Sequence, residues 1–123
     1  MNIYPTHTCF DDSLDLIAEW IKVDNSQVKH LFLVHGICLL ENDAPYSHAW
    51  VERKNKCFFV GIIEGKRETL AVSKKAYYQR FKVQEATRYS VRQAWEHNRI
   101  SNNYGPWEER YLKLCRDYSV RSL

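Results

Sequence analysis

Glycine and proline are scarce in this chain, four and three among 123 residues. So few turn-forming residues leave little room for long loops. No C-x-x-C pair occurs: the four cysteines, Cys9, Cys38, Cys57 and Cys115, are widely spaced, which excludes the usual structural zinc spacings. Met1 to Thr8 shows no basic stretch followed by an apolar run, so no secretory signal is expected. The longest apolar runs, Leu31–Val34 and Ile37–Leu40, are far too short to span a membrane. These absences lead to the expectation of a reducing, cytoplasmic setting with reduced thiols.

What is present fits one globular domain over residues 1–123, with one core. Hydrophobic residues make up 45% and charged residues 27%. Charge is uneven along the chain. Residues 1–65 hold five Lys/Arg against nine Asp/Glu, and residues 66–123 hold thirteen against six. A basic half can meet nucleic acid or an acidic protein surface. Because its bases are interleaved with acids, solvated helix faces are the commoner reading. Arg88, Arg92 and Arg99, near Tyr89 and Trp95, are the residues a nucleic-acid site would use, but aromatics of this kind more often pack a core. No membrane or nucleic-acid partner is expected, and the sequence does not set the oligomeric state.

Periodicity divides the chain into alternating elements. Phe10, Leu14, Ile17, Ala18 and Ile21 recur at helical spacing, and Thr8 to Asp11 resembles a capping box, so a helix is expected over 9–23. Near-continuous apolar residues from Leu31 to Leu40 read as a strand covered on both faces. Tyr46–Arg53, Cys57–Ile63 and Glu68–Val72 read as further strands joined by tight turns at 54–56 and 64–67. Ser73 caps a short helix. Phe81–Tyr89 reads as an edge strand. Ser90 to Gln93 forms a capping box ahead of another helix. Pro106 suits the first position of the last helix, whose apolar face carries Trp107, Tyr111, Leu114, Cys115 and Tyr118. The expected fold is α+β: an N-terminal helix packed on an antiparallel sheet of four to five strands, with C-terminal helices.

Two residues carry the chemistry. Cys9 stands at the start of the first helix, where unpaired amides and the helix dipole favour a thiolate and can hold an oxyanion. His48 opens a strand, from which an imidazole can project into a cleft and act as a base. A cysteine that merely begins a helix is the plainer alternative. Trp50 and Glu52 share a face with His48, because side chains alternate along a strand. Glu52 lies too far along to touch it, at about 13 Å.

Val34-His35-Gly36 followed by Ser47-His48-Ala49-Trp50-Val51-Glu52 resembles the core of the transglutaminase-like branch of papain-type cysteine hydrolases. The resemblance spans residues 8–72 and is specific at His48-Ala49-Trp50-Val51-Glu52. It implies Cys9 as nucleophile, His48 as general base, and an Asp or Asn on the next strand as orienter. That strand, Cys57 to Ile63, has none. With a two-residue turn His48 faces Gly61; with a turn one longer it faces Ile62, and Glu64 becomes a diagonal neighbour. Glu64 is therefore the expected third residue, with His35 and Glu41 as further options.

Two functions stay open. One is a cysteine-dependent acyl-transfer enzyme (amidase, peptidase, deamidase or transglutaminase type) acting on protein or peptide amides without a cofactor. The other is a catalytically inactive papain-like fold that binds a partner protein. A metal site drawn from His7, His35, Cys38, His48 and Cys57 is disfavoured, because His35 and Cys38 point to opposite faces of one strand.

Overall fold

The computed structural model describes the backbone of residues 4–5 and 8–122 and the side chains of residues 8–115. His7 and the Tyr118 side chain lie outside the described residues. The elements in chain order are β1 (Tyr4–Pro5), α1 (Cys9–Val23), a 3-10 turn (Asn25–His30), β2 (Leu31–Leu39), β3 (Pro45–Arg53), β4 (Lys56–Ile63), β5 (Lys66–Ser73), α2 (Lys74–Arg80), β6 (Glu85–Ser90), α3 (Val91–Ser101) and α4 (Glu109–Ser122). The fold is α+β, an N-terminal helix and C-terminal helices on an antiparallel sheet. No helix among the described residues is long and apolar enough to cross a membrane.

The sheet runs β1-β4-β3-β2-β6, with β5 on the other edge of β4. Arg53 pairs with Lys56 and Ile63 with Lys66, so both hairpins close through two residues. Lys54, Glu64 and Gly65 adopt positive φ there, the geometry that matches strand twist in tight hairpins. β2 pairs with β3 along its whole length, placing Gly36 opposite His48. The β3–β4 pairing stops at Val51 opposite Phe58, and beyond it Gly61 pairs with Pro5 of β1 instead. β3 and β4 therefore part, and the start of α1 packs beside the parted stretch.

Alternation along the strands builds two apolar layers. Leu31, Leu33, Val51 and Tyr89 meet Leu14 and Ile17 of α1 and Val91 and Ala94 of α3. Val34, Cys38, Tyr46, Trp50, Cys57 and Phe59 meet Tyr77 and Phe81 at α2 on the opposite face. Gly36 is required where the second layer crosses β2: a Cβ there would come within 2.5 Å of Trp50 Cη2 and 2.7 Å of the Glu85 carbonyl.

Three local expectations are corrected. Thr8 does not cap α1, since its hydroxyl donates to the Asp12 carboxylate at 2.8 Å and Asp12 in turn pairs with Arg67 of β5 at 2.5 Å. The strand expected from Phe81 begins at Glu85, because Phe81 closes α2 through Tyr77 and is buried against Phe59. Pro106 does not open α4, which starts at Glu109. Residues 102–108 instead form a strap that lays Trp107 against His35, Tyr89 and His97. The Ser73 cap and the Ser90–Gln93 capping box form as expected.

Candidate functional site

Cys9 is the first residue of α1 and is 7% exposed. It packs with Phe10, Ala49 and Cys115. The amides of Ala49, on the parted stretch of β3, and of Phe10 donate to its sulfur. Burial nonetheless pushes the thiol up to about 12, outweighing both hydrogen bonds. A helix end lowers a thiol only when the thiolate stays solvated or meets a cation, and neither condition holds here. At neutral pH Cys9 is a thiol.

His48 is 1% exposed. Its ring lies among those of Tyr46, Trp50, Tyr77 and Phe81, with centroids 5.8 to 6.3 Å away. The Tyr77 ring stacks nearly parallel to it, at 11°. Burial pulls the imidazole down to about 4, so it is neutral at pH 7. Neither its Nε2 nor the Tyr77 hydroxyl has a hydrogen-bond partner.

Cys9 and His48 are not brought together. Cys9 approaches β3 on the side of Ala49, which faces α1 and α4. His48, one residue earlier, faces α2 with Tyr46 and Trp50. Adjacent strand residues point to opposite faces, and no hydrogen bond joins the two. Each is held in its neutral form, the opposite of what a thiolate–imidazolium pair requires.

The expected orienters are also elsewhere. Glu64 occupies the first central position of the β4–β5 turn, with φ 51°, and is exposed. With β3 and β4 parted above Val51, nothing on β4 pairs with His48, whose partner is Gly36. Glu41 is exposed in the turn after β2. His35 is wholly buried on the Cys9 side, within 4.8 to 5.1 Å of the Phe10, Trp107 and Tyr89 rings. Both its nitrogens lack partners, and burial, with a smaller contribution from His97, pulls it down to about 3. Cys38 and Cys57 are buried among aromatics as small apolar side chains. Among the described residues no three His, Cys, Asp or Glu side chains converge on one point.

Among the described residues Glu52 is the one buried carboxylate; the sequence placed it on the face of His48 and Trp50 without giving it a partner. It is 3% exposed. Its carboxylate accepts from Trp50 Nε1 (2.9 Å), the Tyr78 hydroxyl (2.6 Å) and Arg88 Nε (2.8 Å), with Lys74 Nζ at 3.4 Å. Burial pushes this carboxyl up, but the bonds from Tyr78, Trp50 and Arg88 outweigh it and hold the group below its ordinary value. The network ties β3 to α2 and β6. It orients Trp50, not His48, whose ring meets only the Trp50 ring in this direction. The signal for it lay in the alternation, but its cations come from two distant elements. No protein-family model matches the chain, and neither does any curated protein or solved structure.

Proposed function

We propose that this chain is a non-catalytic protein-interaction module on an α+β scaffold. The observation that carries the reading is the burial of Cys9 and His48 on opposite faces of β3, each in its neutral form. Acyl transfer needs the thiolate and its base within hydrogen-bond reach. The face best suited to a partner is the outer side of α3, where Arg92, Trp95 and Arg99 follow i, i+3, i+7 spacing beside Ile100. Trp95 is 38% exposed and Ile100 70%. Exposed Trp and Arg together are what protein interfaces use as anchors, and the net charge of this face, Arg92 and Arg99 against Glu96, favours an acidic protein surface. A reducing, cytoplasmic setting fits the buried thiols.

The test is the pH dependence of iodoacetamide labelling, read cysteine by cysteine. The proposal expects Cys9 to label as slowly as buried Cys38 and Cys57 below pH 8, with no change in His48→Ala. Cys9 labelling ahead of the others, with the advantage lost in His48→Ala, would overturn it. That outcome would favour the second reading, a cysteine-dependent acyl-transfer enzyme of the transglutaminase-like kind acting on protein or peptide amides. The two amide donors at the Cys9 sulfur speak for that reading, since such donors can also hold an oxyanion.

A further inference from the structure

Ser47 of β3 donates its buried hydroxyl to the Tyr111 carbonyl of α4, fixing the helix on the strand at one point. From there both elements advance in step. Ser47 to Ala49 is two strand residues, about 6.6 Å, and Tyr111 to Cys115 is four helical residues, about 6 Å. Cys115, one helical turn beyond Tyr111, packs against the cluster that Ala49 forms with Cys9 and Phe10. The two thiols also act on each other electrostatically. Cys38 also acts on Cys9 electrostatically, but it and Cys57 pack in the other apolar layer and not in the Cys9 cluster. They lie under the other face, on β2 and β4, with β3 between them.

We propose that Cys9 and Cys115 form a reversible disulfide that staples the start of α1 to α4, with a low-molecular-weight disulfide such as oxidised glutathione as the oxidant. Cys115 is half-buried and meets the oxidant first. Its sulfur displaces one glutathione as the thiol, giving a mixed disulfide. The Cys9 sulfur then attacks the Cys115 sulfur, the second glutathione leaves as its thiol with the Cys9 proton, and the protein disulfide closes. The chain is oxidised by two electrons and glutathione disulfide is reduced by two. Because Cys9 holds its proton tightly, closure is the slow step and accelerates with pH as its thiolate fraction grows. The closed loop takes in nearly the whole chain, the case in which a cross-link most restricts the unfolded state. This inference does not depend on the absence of catalysis.

The test treats the full-length protein with oxidised glutathione at pH 7.5 and pH 8.5 and maps disulfides by mass spectrometry without reduction. The expected product is a Cys9–Cys115 cross-linked peptide that forms about tenfold faster at the higher pH. The thermal midpoint is expected to rise by about 10 °C and to return on reduction. In Cys115→Ser and Cys115→Ala the cross-link and the shift are absent, while the reduced variants unfold near the reduced wild type. Glutathione retained on Cys115 with Cys9 still reduced overturns the proposal, as does a bridge to Cys38 or Cys57, or no oxidation at all.

Discussion

Glu52 shows how much one side chain can hold. A carboxylate at 3% exposure with four donors around it is stable only as a set, since removing one member strands the others. Glu52→Ala leaves Trp50 Nε1 unpaired in the interior and is expected to cost about 3–5 kcal/mol by urea denaturation. Arg88→Ala costs less, because Arg88 is partly exposed and solvent screens its charge. Gly36 sets a second residue-scale limit. Its missing Cβ gives Trp50 and the Glu85 carbonyl their place, so Gly36→Ala is expected to lower stability by about 1–3 kcal/mol through overpacking. Equal stability of wild type and Gly36→Ala would contradict the close packing of Trp50 over β2.

At the scale of elements, helices and hairpins were legible because their signals are local. α1 spans 9–23 as its apolar spacing indicates, and both two-residue turns fall where polar residues interrupt the strands. Ser90 and Gln93 close the capping box of α3, so Ser90→Ala is expected to cost about 1 kcal/mol. The site was less legible because it depends on which edges meet. Turn length put His48 opposite Gly61 or, for a turn one longer, Ile62; the turn closes through two residues, but β1 takes Gly61 and β3 leaves β4 after Val51. The two-residue turn already takes Glu64 out of reach of His48, and the divergence removes the rest of β4 from it. The divergence also puts Ala49, not His48, beside Cys9. Face assignment by alternation did place Glu52 with Trp50 correctly. It could not supply Arg88 and Lys74, which arrive from β6 and α2. Pro106 misled for a similar reason: Trp107 is drawn into the aromatic cluster around His35, and the chain must run as a strap to deliver it. On α3, Trp95→Ala with Arg99→Ala removes a Trp that is 38% exposed and an Arg paired with Glu96 on the same helix. Because most of the Trp95 side chain is covered, the pair is expected to lower the unfolding midpoint modestly and to weaken capture of an acidic protein partner; unchanged capture would remove α3 as the binding face.

For the whole molecule, the two buried histidines make stability a function of pH. Each binds a proton less readily when folded than at its ordinary value of 6.5, His48 down to about 4 and His35 down to about 3. The unfolded chain therefore takes up protons that the folded chain refuses as pH falls below 6.5. Their contribution is complete above pH 6.5 and is lost progressively toward pH 4 and, for His35, pH 3. His48 alone accounts for a loss on the order of 3 kcal/mol, a large share of a domain's marginal stability. Acid unfolding is thus expected between pH 5 and 3, read by circular dichroism. His35→Phe keeps an aromatic ring among Phe10, Tyr89 and Trp107 and removes the proton site, so its acid midpoint is expected at lower pH than wild type. An unchanged midpoint would mean that His35 is not held neutral by the fold.

The same neutral histidine decides between a scaffold and an enzyme. A nitrogen-15 NMR titration of the His48 imidazole, assigned with His48→Gln and repeated in Cys9→Ala, reads the proton directly. If Cys9 and His48 are buried apart, His48 titrates below pH 5 or not at all before the protein unfolds, and Cys9→Ala leaves that unchanged. A His48 that stays protonated above pH 7 and loses its proton more readily in Cys9→Ala would reveal a thiolate–imidazolium pair and contradict the account.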